Sequence, residues 1–290
     1  MVSCGTFTMN GGKISGNIAT GQAGGVYVRR GGQFIMNGGE ISNNHANKYG
    51  GGVSFVASDY SGYVPYVALN GGMICSNTMG DSDTKVSNDL GIASSDYSHI
   101  NRYLYISDDV TIGNKAVYFE TNSKIVTPAD DSLDIKLGNA STDSNTALKN
   151  ASTNDKGWAN LLATFWVQRD GAASLTVGGL NPDKNLPVYV LTQKTGANGT
   201  PDSAAVNTYA AAVDADGNVS FTLPIADVNG NGCAVAIVQP TQDFGTLTIS
   251  GPETIKQNKT NADYPVAYTV TYVMSESLKS IITQAGGNAE

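Results

Sequence analysis

Charged residues and histidine are scarce in this chain, and the charge that is present has an acidic balance. Of 290 residues only 14% are charged, with 17 Lys and Arg against 25 Asp and Glu, a formal net charge of −8, and two histidines. A nucleic-acid-binding protein needs a basic surface that neutralises phosphates, and no basic stripe occurs along this sequence. The composition therefore argues against nucleic acid as the partner.

Long apolar runs are also missing, and cysteine is rare. No run approaches the length of a membrane-spanning helix. The three cysteines, Cys4, Cys75 and Cys233, are an odd number, and Cys75 stands where the earlier repeats have serine. We therefore expect no membrane insertion by this chain and no disulfide framework.

The sequence is rich in glycine and asparagine, and these residues recur in a repeat. Asn10, Asn37 and Asn70 each precede a Gly-Gly pair, and an isoleucine and a further asparagine follow at fixed distances. These further asparagines are Asn17, Asn44 and Asn77. The copies are 27 and 33 residues apart, and a period in this range without a helical pattern is typical of a solenoid.

Alternation within the repeat predicts which side chains point inward. Phe7 matches Phe34, and Met9 matches Met36, while the residues between them vary in polarity. Successive side chains leave opposite faces of a strand, so the matching positions should stack as inward columns. Asparagine and glycine suit the corners, and an asparagine can hydrogen-bond to its copy in the next coil. We interpret the six asparagines as a structural ladder rather than a ligand site.

The repeats resemble a known family. The sequence GTFTMNGGKISGN…GGVYV…GGQFIMNGGEISNN is similar to right-handed parallel β-helix repeats of large secreted or wall-attached surface proteins from anaerobic, often gut-dwelling bacteria. The resemblance covers residues 5–80 and fades into a degenerate coil at 103–119. It implies an extracellular or cell-surface location and a non-catalytic role as an adhesin or stalk.

The repeat pattern is gone by residue 173, and short strands separated by turn residues replace it. We count seven strand candidates, at 174–177, 188–192, 207–213, 219–223, 234–238, 246–250 and 266–273. Their spacing of roughly ten residues is typical of an immunoglobulin-like β-sandwich. We therefore predict an all-β chain with a right-handed parallel β-helix over 1–165 and an immunoglobulin-like sandwich over 166–290. A further module starting after residue 239 is the alternative for the last part.

A carbohydrate-active enzyme is the alternative function, because many parallel β-helices are polysaccharide lyases or glycoside hydrolases. One irregular segment holds a mixture of acids, bases and cations, namely Asp81, Asp83, Asp89, Asp96, His99, Arg102 and Tyr103. If the chain were an enzyme, Asp96, His99 and Arg102 would be the catalytic residues. Their spacing matches no catalytic motif, and a solvated loop has the same composition. We therefore expect neither catalysis nor a cofactor.

Binding makes a smaller chemical demand than catalysis. The insertion ASDYSGYVP lengthens the third coil and carries Tyr60 and Tyr63, with Tyr66 directly after it. Insertions in solenoids often lie on the binding face, and exposed tyrosines suit sugar rings or a protein partner. The other interpretation is that these rings cover the flank of the coils. The partner we expect is a glycan or a host or bacterial surface protein.

Two short stretches imitate calcium loops. Their oxygen-bearing side chains are Asp214, Asp216 and Asn218 in the first, and Asp227, Asn229 and Asn231 in the second. A loop of the EF-hand kind needs a carboxylate at its twelfth position, where the second stretch has Val238. Asp-Gly and Asn-Gly also supply the positive φ of hairpin turns. We therefore expect turns and no metal at either place.

The first repeat begins almost at Met1, without an N-terminal cap. We expect the chain to be a piece of a longer protein. An uncapped coil exposes strand edges that another chain can extend. End-to-end self-association through the N-terminal coil is therefore a further expectation.

Overall fold

A computed structural model describes residues 1–56, 65–93, 103–119, 124–128, 134–138, 159–196, 205–250, 269–276 and 278–279. The chain divides into two compact units, Met1–Gln239 and Pro240–Glu290. The described residues are predominantly strand, which confirms the all-β prediction.

The strands before residue 120 are short. They are β1 (Val2–Ser3), β2 (Thr6–Ser15), β3 (Ile18–Ala19), β4 (Val26–Arg29), β5 (Gln33–Ser42), β6 (His45–Ala46), β7 (Val53–Val56), β8 (Tyr66–Leu69), β9 (Gly72–Cys75), β10 (Thr78–Met79), β11 (Val86–Ser87), β12 (Leu90–Ala93), β13 (Tyr103–Ile106), β14 (Val110–Ile112) and β15 (Val117–Phe119). The later elements are β16 (Lys124–Pro128), β17 (Ile135–Gly138), β18 (Ala159–Gln168), β19 (Ala173–Gly178), β20 (Val188–Lys194), β21 (Asn207–Val213), β22 (Val219–Leu223), helix α1 (Ile225–Val228), β23 (Cys233–Pro240), β24 (Gly245–Ser250) and β25 (Thr269–Met274).

Equivalent strands of successive repeats pair in parallel, in three separate ladders. The first ladder contains β1, β4, β7, β12 and β15. The second contains β2, β5, β8 with β9, and β13 with β14, and the third contains β3, β6 and β10. The register follows the sequence repeat, since Phe34 pairs with Phe7 on one side and Val67 on the other. Each of the first three repeats therefore passes once through all three ladders, and the next repeat continues the first two.

Antiparallel strands continue two of the ladders. The first ladder proceeds from β15 through β16, β19 and β22, and the second from β13 through β17, β18, β23 and β20. Strand β21 pairs with both β20 and β22 and so links the two continuations. Each of the seven predicted strands overlaps an observed one, β19 to β25, while the boundary predicted between residues 165 and 166 lies inside β18.

One hydrophobic core extends through the parallel and antiparallel parts of the first unit, from Met9 to Ile237. The inward columns are fully buried, with Phe34, Met36 and Leu69 all at 0% exposure. Alternation of buried and exposed positions along the strands produces these columns. The ring of Phe165 lies 6.3 Å from those of both Phe119 and Phe221, so the core passes from the parallel ladders into the antiparallel strands without a break.

Close backbone approach explains glycines in the turns between the short strands. A Cβ atom on Gly51 would lie 2.2 Å from the carbonyl oxygen of Thr78. The second glycine of each Asn-Gly-Gly triplet has positive φ, at 84° in Gly12, 97° in Gly39 and 95° in Gly72. Glycine adopts this conformation without steric cost, which is why the triplet recurs in every clear repeat.

In the second unit, β24 and β25 form an antiparallel pair. Several of their apolar side chains are exposed, including Ile249 at 63% and Val270 at 60%.

Candidate functional site

The asparagines before the glycine pairs form an outer ladder on the surface. Nδ2 of Asn37 donates to Oδ1 of Asn10 at 2.8 Å, and Nδ2 of Asn70 donates to Oδ1 of Asn37 at 2.9 Å. All three side chains are exposed. The side-chain amides of this ladder are thus hydrogen-bonded to one another.

The second set of asparagines forms an inner ladder. Nδ2 of Asn17 donates to Oδ1 of Asn44 at 2.8 Å, and Nδ2 of Asn44 donates to Oδ1 of Asn77 at 3.0 Å. Each of these oxygens also accepts the backbone N–H of the preceding asparagine. Asn44 and Asn77 are buried, at 1% and 0% exposure. Their side-chain amides therefore provide hydrogen bonds to buried groups that water does not reach.

Asp89 terminates the inner ladder. Its Oδ1 accepts the backbone N–H of Asn77 at 3.1 Å and Nδ2 of Asn77 at 2.7 Å, and its Oδ2 accepts the backbone N–H of Asn114 at 2.7 Å. Burial raises the pKa of the Asp89 carboxyl, and the N–H donors offset part of this shift. Because an ionised carboxylate only accepts hydrogen bonds, the amide of Asn77 must turn its nitrogen toward it.

Sequence reasoning placed Asp89 in a mixed polar segment and missed this role. A signal was present, because Asp89 directly precedes the inward residue Leu90, and Leu90 is in register with Val53. The residue before Val53 is Gly52, where a Cβ atom would lie 2.8 Å from Nδ2 of Asn77. The aspartate therefore occupies the position before β12 that corresponds to the glycine before β7.

The structure does not describe most of the residues that the sequence predicts to be catalytic or to bind a ligand. Asp96, His99, Arg102, Tyr60 and Tyr63 lie outside the described residues. The segments that carry them follow Val56 and Ala93, and these two residues are register partners on β7 and β12.

Tyr66 is placed on β8. It is half-buried, and it pairs in register with Gln33 and with Tyr103. This pairing puts it in the second parallel ladder.

The first calcium-like stretch is a turn closed by its own aspartate. Oδ1 of Asp214 accepts the backbone N–H groups of Asp216 and Asn218, both at 2.9 Å, and Oδ2 accepts Nδ2 of Asn218 at 2.9 Å. These donors lower the pKa of the Asp214 carboxyl. Gly217 supplies a positive φ of 83°, as a tight turn requires.

In the second calcium-like stretch, Asp227 is buried, unlike the two asparagines that follow it. It is 3% exposed, whereas Asn229 and Asn231 are exposed. Its carboxylate accepts from the hydroxyl of Thr192 at 2.6 Å, the hydroxyl of Tyr209 at 2.8 Å and the amide of Asn207 at 3.0 Å. Burial and this carboxylate raise the pKa of Tyr209 to about 12. Within the parts of the chain that the structure describes, no three His, Cys, Asp or Glu side chains form a metal-binding cluster.

A groove lined by Tyr118 of the first ladder and by residues on and beside β10 and β11 brings together residues that sequence reasoning did not single out. The described residues that line it are Asn47, Lys48, Tyr49, Met79, Gly80, Thr84, Val86 and Tyr118, around a cavity of about 370 Å³. The rings of Tyr49 and Tyr118 stack with centroids 6.4 Å apart and planes 12° apart.

Local structure positions both tyrosines. Val117 and Phe119 of β15 point inward and Tyr118 points outward, by strand alternation. Gly91 is in register with Tyr118, and a Cβ atom on Gly91 would lie 2.7 Å from the backbone nitrogen of Gly50. Because Gly91 has no side chain, the segment containing Tyr49 can lie against β12, beside Tyr118. Nε2 of Gln22 donates to the hydroxyl of Tyr49 at 2.6 Å and holds the ring.

A second, smaller cavity of about 160 Å³ is polar. It is lined by Tyr105, Asp134, Ile135, Lys136, Gln168, Arg169 and Asp170. A hydrogen bond to Asp134 raises the pKa of Tyr105, so this phenol is less suited than a free tyrosine to act as a base.

Comparison of the chain with protein-family models, with curated proteins and with solved structures gave no match. Among the described residues, no helix is both long enough and apolar enough to span a membrane.

Proposed function

We propose that this chain is a non-catalytic part of a bacterial surface or secreted protein of the adhesin or stalk type. In this proposal, residues 1–165 form a right-handed parallel β-helix that acts as a rigid spacer. The antiparallel strands that follow form an immunoglobulin-like sandwich that covers the last coil. The coils and sandwich together present a binding face to a glycan or a partner protein.

The continuous core is the observation that carries this proposal. Equivalent strands of successive repeats pair in three parallel ladders, and the Phe119, Phe165 and Phe221 rings join their interior to the antiparallel layer. In a stack of this kind each coil gains its stability from its neighbours. Repeats joined by one continuous core therefore hold a fixed position relative to one another, which is what a spacer requires.

Native-state hydrogen exchange tests the rigid spacer. If residues 1–239 act as one body, amides of β5, β12 and β23 should exchange through the same cooperative opening, with the same dependence on denaturant. Separate opening of the coils and the antiparallel strands would contradict the proposal. The encoding open reading frame tests the location, since a secretion signal and a wall anchor are expected in it.

A carbohydrate-active enzyme is the second candidate function. The polar cavity favours it, because two carboxylates, Asp134 and Asp170, line the same small space, and glycoside hydrolysis requires a carboxylate pair. Turnover of acidic and neutral polysaccharides by the wild type, abolished in Asp134→Asn and Asp170→Asn, would support this candidate over the spacer. No turnover by the wild type would leave the spacer proposal in place.

A further inference from the structure

The Tyr49/Tyr118 groove is a candidate site on the described surface, and its size limits what it can hold. Small-molecule sites commonly enclose about 300–1,000 Å³, and this cavity measures about 370 Å³. A typical protein partner instead covers about 800 Å² of each surface. The groove therefore suits one or two rings of a small ligand.

The apolar part of the groove is a pre-organised aromatic platform. Tyr49 is only 6% exposed and packs in a cluster with Met79 and Ala93, and Tyr118 lies against this cluster. Stacking on the buried Tyr49 ring restricts the half-buried Tyr118 ring. A rigid tyrosine face can pack against the C–H face of a pyranose with little loss of side-chain entropy.

The rim supplies hydrogen-bonding groups of the kind that sugar hydroxyls need. Asn47 and Thr84 are exposed at the edge of the cavity. The Thr84 hydroxyl donates to Oδ1 of Asp81 at 2.6 Å, so its oxygen can still accept a hydrogen bond. The Asn47 amide can both donate and accept.

The charge of the groove is opposite to that of the protein. Lys48 is the one charged residue among the described residues that line it, although the whole chain has a net charge of −8. The nearby Asp81 carboxylate accepts three donors of its own turn. An exposed lysine beside an aromatic platform favours a ligand with a carboxylate next to a flat ring.

We infer that the Tyr49/Tyr118 groove binds an acidic sugar, with a pyranose ring packed on Tyr118 and its carboxylate paired with Lys48. This inference deepens the proposed display role by naming the ligand class and the place where the ligand binds. It does not depend on the stiffness of the coils, so hydrogen exchange and sugar binding can fail separately.

Titration with sodium D-glucuronate and with D-glucose, followed by saturation-transfer NMR on the full chain, tests the inference. Glucuronate should bind more tightly than glucose. Tyr118→Ala should weaken glucuronate binding about tenfold. Lys48→Gln should weaken it by up to about fivefold and leave glucose unchanged, as expected for an exposed ion pair.

Two variants serve as matched controls. Tyr27→Ala removes another half-buried tyrosine of the first ladder that does not line the groove. Lys85→Gln removes the exposed positive charge directly after Thr84, on a residue that does not itself line the groove. Both should bind glucuronate as the wild type does.

Several outcomes would overturn the inference. They are that neither sugar binds, that the two sugars bind with equal affinity, that the control variants lose as much affinity for glucuronate as the groove variants, and that Tyr118→Ala binds glucuronate as the wild type does. Tyr118→Phe keeps the ring and the packing and should retain binding, so it replaces the alanine variant if that variant does not fold. Loss of binding in a folded Tyr118→Phe would show that the ring face is not the contact.

Discussion

At the scale of single residues, the direction of the hydrogen bonds distinguishes the two asparagine ladders. In the outer ladder each amide nitrogen points toward the preceding repeat, from Asn37 to Asn10. In the inner ladder each points toward the following repeat, from Asn44 to Asn77, and the last meets Asp89. A terminal acceptor that cannot donate accounts for the direction of the inner ladder.

Replacing one member of each ladder should separate buried from exposed amides. Asn44→Ala leaves the backbone oxygen of Ile14 and Oδ1 of Asn77 without the Asn44 donor, and a buried unpaired group costs about 1–3 kcal/mol. We expect Asn44→Ala to lower the free energy of unfolding by about 2–4 kcal/mol. Asn37→Ala, on the surface, should cost less than about 1 kcal/mol. Urea denaturation measures both, and equal losses would contradict the prediction.

Asp89 should give stability a characteristic dependence on pH. Its pKa is raised by burial above the ordinary value of 3.8, so the folded state holds this proton more tightly than the unfolded chain. Its contribution is therefore largest below the unfolded value and is lost as the pH rises through the folded pKa. Relative to Asp89→Asn, the wild type should gain stability as the pH falls from about 7 to about 4.

Urea denaturation of both proteins across this pH range measures that difference. The comparison with Asp89→Asn is needed because Glu40, Asp81 and Asp214 have lowered pKa values and act in the opposite direction. These three carboxylates are present in both proteins, so their effects cancel. Parallel stability curves for the two proteins would rule out the assignment.

At the scale of elements, the corners between short strands set how closely the coils stack. The third ladder is made of two-residue strands, and the segments that lead into the first ladder pass close to it. Gly51 illustrates this, because a Cβ atom on it would lie 2.2–2.7 Å from backbone atoms of Thr78 on β10. The glycine pairs are therefore part of the packing between ladders.

Adding one methyl group at such a corner should be costly. Gly51→Ala would place a carbon 2.2 Å from the Thr78 carbonyl oxygen, and the backbone would have to shift, at about 1–3 kcal/mol or more. Gly21→Ala is the matched control, because nothing lies within 4 Å of a Cβ atom there. Its effect on the thermal midpoint should be close to zero or slightly stabilising. A Gly51→Ala protein with an unchanged midpoint would contradict this account of the corner.

At the scale of the whole molecule, the first coil differs from the coils stacked on it. Phe7 is 38% exposed, whereas its counterpart Phe34 is fully buried and stacks on it at 5.4 Å. Ile18 is 78% exposed. A cavity of about 450 Å³ lies beside Phe7, Ile14 and Val26. We propose that these exposed apolar side chains support association between copies of this chain.

Charged substitutions on the first coil should reduce that association. Phe7→Asp and Ile18→Asp should lower the average mass seen by light scattering across a concentration series, because a charge at the contact must be desolvated. Ile249→Asp changes an isoleucine of similar exposure in the second unit and should leave the mass unchanged. Association that persists in both first-coil variants, or is lost equally in the control, would assign it to another surface.

The sequence by itself determined the repeat, the inward columns and the strands of the antiparallel part. These features follow from local periodicity: strand alternation places Phe34 and Met36 inward, and glycine takes positive φ wherever the triplet occurs. Only the tertiary structure decided that Asp89 ends the inner ladder and that Asp227 is buried under three donors. The physical reason is that a hydrogen-bond partner depends on what the fold brings near, which a local pattern does not specify.

The groove illustrates the same limit. Tyr49 and Tyr118 belong to different repeats, and neither is in a motif. They meet because Tyr118 faces outward on β15 and Gly91 leaves room for the segment that carries Tyr49. The pairing of successive repeats determines both the outward direction of Tyr118 and the space beside Gly91. The contact between the two tyrosines therefore forms only in the folded chain, and no single stretch of the sequence predicts it.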